Sequence, residues 1–133
     1  MNKIEVVSLD KQGKGFEKSI KKIAAKILKI LGKNNVSVEI YLTASEKMKF
    51  LNKKFRGKDK AASILSFEEP RGFVLPPSKV KKIGEIYVKF PITNYPITQL
   101  LCHGLLHLFG YTHQKKNDTI TMEKKEKFLI SNL

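Results

Sequence analysis

Apolar and polar residues along this chain follow two periods in turn, and the switches between them mark out strands and helices. Ile4 to Leu9 reads as a first strand. Phe16, Ile20, Ile23, Ile27, Ile30 and Leu31 then recur at helical spacing until Gly32 ends the run. Val36, Val38, Ile40 and Leu42 alternate with Ser37, Glu39 and Tyr41, the period of a half-buried strand. Thr43 and Glu46 have capping-box spacing, in which hydroxyl and carboxylate take up free amides at a helix start, and the helix they open passes through Met48, Leu51 and Phe55. It breaks at Arg56-Gly57-Lys58-Asp59-Lys60, a basic loop. Ile64 to Phe67 and Ile83 to Phe90 are further strands, separated by a Pro- and Gly-containing connection from Pro70 to Ser78. Pro96 suits the first turn of the next helix, and a final helix is expected from about Asp118 to Leu129, its apolar residues being Ile120, Met122, Phe128 and Leu129. The expected order is β-α-β-α-β-β-α-α.

The chain has 133 residues, 41% of them apolar, with no long linker and no internal repeat. A single domain over residues 1–133 with one core is expected. Met1-Asn2-Lys3-Ile4-Glu5 lacks the apolar run of a signal peptide, and no stretch approaches the roughly 18 apolar residues of a membrane span, so a soluble, cytoplasmic protein with no membrane role is expected. Net charge is +14, with 26 Lys and Arg against 12 acids. Such a field attracts polyanions, nucleic acid foremost. Abundant Lys with few Arg and no Trp also fits a biased genome, and lysines 18, 21, 22, 26, 29 and 33 have the arrangement of a solvated helix face. The lone Cys102 cannot form an internal disulfide, and at one position from His103 it points roughly 100° away from the histidine face, which suits packing better than catalysis.

The chain's three histidines form His103-x-x-x-His107-x-x-Gly110-x-x-His113, in the most apolar stretch of the sequence. Two imidazoles one helical turn apart share a face, with Cβ atoms roughly 5 to 6 Å apart. Gly110 can end the helix in a left-handed turn and let the chain deliver the third ring from outside it. Three imidazoles suit zinc and keep a fourth position free, the arrangement of catalytic zinc. The spacing matches the H-E-x-x-H-x-x-G-x-x-H zinc proteases, but Gly104 stands where their Glu acts as base. That glycine reads either as a site kept open or as close packing.

A second constellation precedes the histidines, in Leu51-Asn52-Lys53-Lys54-Phe55-Arg56-Gly57-Lys58-Asp59-Lys60-Ala61-Ala62-Ser63-Ile64-Leu65-Ser66-Phe67. With Gly84-Glu85-Ile86 and the segment from His103 to His113, it resembles the YbeY family of single-domain, metal-dependent bacterial endoribonucleases. The resemblance covers most of the chain, and its histidine motif is its most specific part. It implies an α+β fold, a mixed sheet of about four strands packed with helices and a metal-binding helix near the C-terminus. It also implies one zinc ion on His103, His107 and His113, a functionally important arginine at Arg56, and cleavage of single-stranded RNA in small-subunit ribosomal RNA maturation and ribosome quality control. The chain departs from the family where Ala62-Ser63 replaces Thr-Asp and where Thr112 replaces the Asp before the last histidine. Both changes remove a carboxylate that could orient the site, an effect that commonly costs about 10- to 100-fold in metal affinity or activity. The segment from Gly84 to His103 is also shorter than in typical members.

In the expected mechanism the metal activates water, or a 2′-hydroxyl, toward a backbone phosphorus. Arg56, whose guanidinium grips two phosphate oxygens at once, steadies the developing charge. Lys58 and Lys60 in the same loop hold flanking phosphates without reading sequence. Asp59 and Glu85 are available carboxylates, and the general base is unassigned. Two alternatives stand beside this one: a zinc-dependent peptidase lacking the usual Glu base, and a noncatalytic ribosome-associated RNA-binding protein.

Overall fold

Strands and helices follow one another in the order the hydrophobic pattern predicts. The computed structural model describes residues 1–69, 80–92 and 95–133. Within them β1 (Lys3–Ser8) leads through a 3-10 turn at Lys11–Phe16 into α1 (Glu17–Ile30), β2 (Val36–Thr43) and α2 (Ser45–Arg56). Next come β3 (Ile64–Glu68), β4 (Lys81–Lys89), α3 (Ile97–Leu108) and α4 (Lys116–Ser131). The sheet order is β1-β2-β4-β3, parallel at the first two pairings and antiparallel between β4 and β3. This is an α+β fold on a mixed sheet, with β3 at one edge among the described strands.

Side chains alternate across a strand, so one sheet face carries Ile4, Val38, Ile40, Leu42, Ile86 and Val88, all buried. Against that face lie α1, through Ile20, Ala24, Ile27 and Leu28, and α3, through Leu101, Leu105 and their neighbours. The lysines of α1 point to solvent, as a solvated face should. The opposite face is covered in part by α2, whose Met48 and Leu51 meet Leu65 in a smaller cluster. The α4 helix packs through Met122 and Leu129, while Ile120 and Phe128 face outward at 42% and 49% exposure.

Four features depart from the sequence pattern. The capping box does not form: Thr43 is buried as the last residue of β2, its carbonyl accepting from the Phe90 amide at 2.8 Å, and Ala44 is the N-cap with no side-chain hydrogen bond. Pairing with the neighbouring chain extends the strand through the would-be cap. Arg56 belongs to the last turn of α2 and not to the loop, because Gly57 at φ +70° supplies the left-handed cap. Phe16 sits at the end of the 3-10 turn, half exposed, with its ring 5.4 Å from Phe90, and not in the buried stripe of α1. Pro96 is the N-cap of α3, one residue ahead of its first turn. The connection from Pro70 to Ser78, with Arg71 in it, lies outside the described residues.

Gly84 explains part of the sheet's shape. The β2–β4 register skips a residue beside it, and its φ is +150°. A Cβ there would lie 2.3 Å from the Phe67 carbonyl oxygen, so only glycine lets β3 run this close. That strand then passes directly behind the histidine helix.

A candidate metal centre between two clefts

The α3 helix, from Ile97 to Leu108, is apolar on nearly every side and is held between sheet and α4, which fixes the direction of the two histidines it carries. Gly110 adopts φ +95°, the Tyr111 amide donates back to the Leu106 carbonyl at 3.1 Å, and the chain reverses as the spacing anticipates. His113 is thereby returned to His103 and His107, with ring centroids 4.9 and 5.0 Å away. One ligand nitrogen from each of the three histidines lies within 4.8 Å of the others.

Proton placement on the rings follows from their partners. His107 Nδ1 lies 2.8 Å from the Tyr111 carbonyl, an acceptor only, so Nδ1 carries the hydrogen. His103 Nδ1 lies 2.6 Å from the Glu126 carboxylate and donates likewise. With Nδ1 donating in both, a lone pair that either ring offers to an ion is on Nε2, and the two Nε2 atoms face each other at 3.0 Å. Two lone pairs this close repel unless a metal ion or a proton lies between them. Tetrahedral zinc with nitrogens at about 2.0–2.1 Å would hold them roughly 3.3–3.4 Å apart, so the donor set fits such an ion with a slight spreading. Burial, followed by the neighbouring His103, pushes the His107 pKa below its ordinary value and favours the neutral, ligating form.

Two clefts open on either side of His103. One, of about 530 Å³, is lined by His103, His107, Arg56, Phe67, Glu68 and Thr112 among others. The other, of about 390 Å³, holds His103, His113, Ser63, Tyr95, Glu123 and Glu126. Ser63 and Thr112 thus line opposite sides, and Thr112 donates to Asp118 at 3.3 Å.

Arg56 reaches the first cleft from the end of α2. Its guanidinium donates one hydrogen bond to the Ser66 carbonyl at 2.8 Å and lies over the Phe67 ring at 5.0 Å, which leaves its remaining N–H groups available to an anion. Lys58 and Lys60 do not line either cleft; they are exposed in the next loop, which buried Asn52 ties to α2 through the Lys60 carbonyl at 2.8 Å. Asp59 faces Lys49 at 3.8 Å and Glu85 faces Lys82 at 3.5 Å, and neither lines a cleft.

The two open questions at α3 resolve toward packing. A Cβ on Gly104 would lie 2.8 Å from Ile64 Cδ1 and 3.2 Å from the Ser66 hydroxyl, which donates to the Gly104 carbonyl at 3.1 Å. The place of the protease Glu is filled by β3. Cys102 is fully buried, and burial pushes its thiol up to about 11, so it is an inert packing group.

Glu126 is the residue that sequence reasoning overlooked. It lies four residues after Met122 and three before Leu129, on the stripe that α4 turns to the core. A carboxylate on that stripe was the available signal.

A model of the endoribonuclease YbeY family matches residues 3–133. The chain belongs to that family. YbeY endoribonucleases of Sulfurihydrogenibium and of Pelagibacter ubique are 34% and 33% identical to it, over 77% and 95% of this chain and 72% and 92% of theirs. A Thermotoga maritima protein solved in solution has the same fold, with a TM-score of 0.58 and 26% identity over 97% of this chain and 87% of that one.

Proposed function

We propose that this protein, acting as a single cytoplasmic domain over residues 1–133, is a zinc-dependent endoribonuclease that cleaves single-stranded RNA in small-subunit ribosomal RNA maturation and ribosome quality control. The observation that carries it is the convergence of three histidine nitrogens within 4.8 Å, with His103 and His107 Nε2 3.0 Å apart beside a cleft that also contains Arg56. His103, His107 and His113 hold the ion, with Glu126 and the Tyr111 carbonyl fixing the tautomers of the first two. Bound there, zinc supplies Lewis-acid activation for phosphodiester hydrolysis.

The chain's own groups supply the rest. Arg56, anchored on the Ser66 carbonyl and set over the Phe67 ring, is pre-oriented to grip a phosphate in the cleft and to stabilise charge gathering on its oxygens. Lys58 and Lys60, set apart from the cleft, hold flanking phosphates only. Among the described residues the cleft with Arg56 contains one carboxylate, Glu68, and Glu126 is engaged by His103, so no general base is assigned from the chain. The family match and the absence of a carboxylate at Gly104 weigh against a peptidase.

The test is zinc content paired with cleavage of labelled RNA. The wild type is expected to contain about one zinc and to cut single-stranded RNA, and His107→Ala to lose most of both. Undiminished zinc in His103→Ala and His107→Ala, by elemental analysis, removes the metal centre.

A further inference from the structure

Given the endoribonuclease function proposed above, we infer that RNA flanking the cleavage point leaves the Arg56 cleft across the outer face of α2, its unpaired bases stacking on Phe55 and Phe50 around Lys54. The rings form a continuous track. Phe67 lines the cleft beneath Arg56, Phe55 meets Phe67 edge-on at 5.3 Å, and the Lys54 ammonium lies 5.4 Å from the Phe55 ring and 5.8 Å from Phe50.

Three observations favour RNA as the occupant. Phe50 and Phe55 are 61% and 53% exposed, on a helix whose core contacts are made by Met48, Leu51 and Asn52. Phe50 therefore does little for packing, and Phe55 keeps about half of its surface free beyond its edge contact with Phe67. The same helix carries Lys47, Lys49, Lys53, Lys54 and Arg56 against the single acid Glu46, a charge that complements a phosphate backbone. Protein-binding surfaces are depleted in lysine, whereas aromatic rings set among cations are the usual platform for single strands, since any base can stack and any phosphate can pair.

The cleft on the other side of His103 has a ring, Tyr95, but no lysine or arginine among its described lining residues, and its carboxylates are Glu123 and Glu126. The exit over α2 is the side on which a polyanion meets cations. A duplex offers no free base faces, so the track selects single strands by stacking and not by sequence.

The experiment is binding of a labelled 12-nucleotide single-stranded RNA to the full-length protein, followed by stopped-flow anisotropy ahead of cleavage. Phe50→Ser and Phe55→Leu are each expected to weaken binding about 5- to 100-fold, as loss of one stacked base does. The salt slope should not change. Lys54→Ala is expected to flatten that slope by about 0.7, the release from one phosphate on a single strand. RNA with abasic residues flanking the cleavage point should bind the wild type as weakly as intact RNA binds the phenylalanine variants, and should bind those variants no more weakly still. Wild-type affinity in Phe50→Ser, whose side chain is too exposed to disturb the fold, overturns the track while leaving the endoribonuclease function standing. So does a loss in the variants that persists in full on abasic RNA. A wild type that neither binds nor cuts RNA overturns both.

Discussion

The two clefts beside His103 share that ring and little else. On one side stand a guanidinium over an aromatic ring and a sheet edge; on the other stand Glu123 and Glu126 with a tyrosine. The first has what a phosphodiester needs from its surroundings, and the second has what an imidazole needs from its own. A single helix can serve both because its histidines present Nε2 to the centre and Nδ1 away from it. If the proposed function holds, Arg56 on one side serves the substrate and Glu126 on the other serves the metal site, and substitutions of the two should separate substrate affinity from metal affinity.

The largest effect is expected on the guanidinium side. Arg56→Lys keeps the charge but loses the fork, and should lower single-turnover cleavage by about 10² to 10³ with zinc content unchanged. Lys58→Ala, outside the cleft, should weaken binding modestly and leave the rate at saturating protein intact, since a contact made equally before and during reaction does not lower the barrier. A wild-type rate in Arg56→Lys reduces Arg56 to a surface cation. On the carboxylate side, Glu126→Gln should weaken zinc about 10- to 100-fold by competition with a chelating dye, while RNA affinity at saturating zinc stays the same. If RNA affinity falls and zinc affinity does not, the division between the clefts is the reverse of that drawn here.

The smallest effect concerns pH. His107 has its folded pKa held below 6.5 by burial and by His103, so it favours the neutral ring that the unfolded chain gives up more readily to protons. The stability it contributes is complete above its unfolded pKa of about 6.5 and is lost as pH falls through the lower folded value. Urea unfolding of chelator-treated protein at pH 7.5 and pH 5 should show this loss, and His107→Gln should shrink it. An unchanged pH dependence in the variant would mean that His107 is not held neutral in the fold.

What could be read from sequence was what is local. The histidine helix, its left-handed exit and the return of His113 depend on residues within eleven positions of one another, and all three appear as expected. Glu126 meets His103 from 23 residues away, and only helix packing brings it there. Thr43 went wrong for the same reason: its neighbours suit a cap, but the Phe90 amide across the sheet extends the strand instead. Gly57 did carry a local signal for ending α2 after Arg56, obscured by the surrounding lysines. Gly104 admitted two explanations until β3 was seen against it, because packing partners 38 residues apart leave no mark on spacing.

Arg56 has one more consequence, through the Ser66 carbonyl. On β3 the pairing to β4 turns the backbone groups of Ile64, Ser66 and Glu68 away from the sheet, along the edge of the described strands. An open edge of this kind is a template for another strand, and natural sheets protect theirs with charge. The guanidinium sits on that edge with its hydrogen bond already made, a charge placed where it would oppose pairing with a second copy. Variants that shorten the side chain at position 56 should therefore self-associate more readily as concentration rises, an effect that sedimentation would read independently of cleavage.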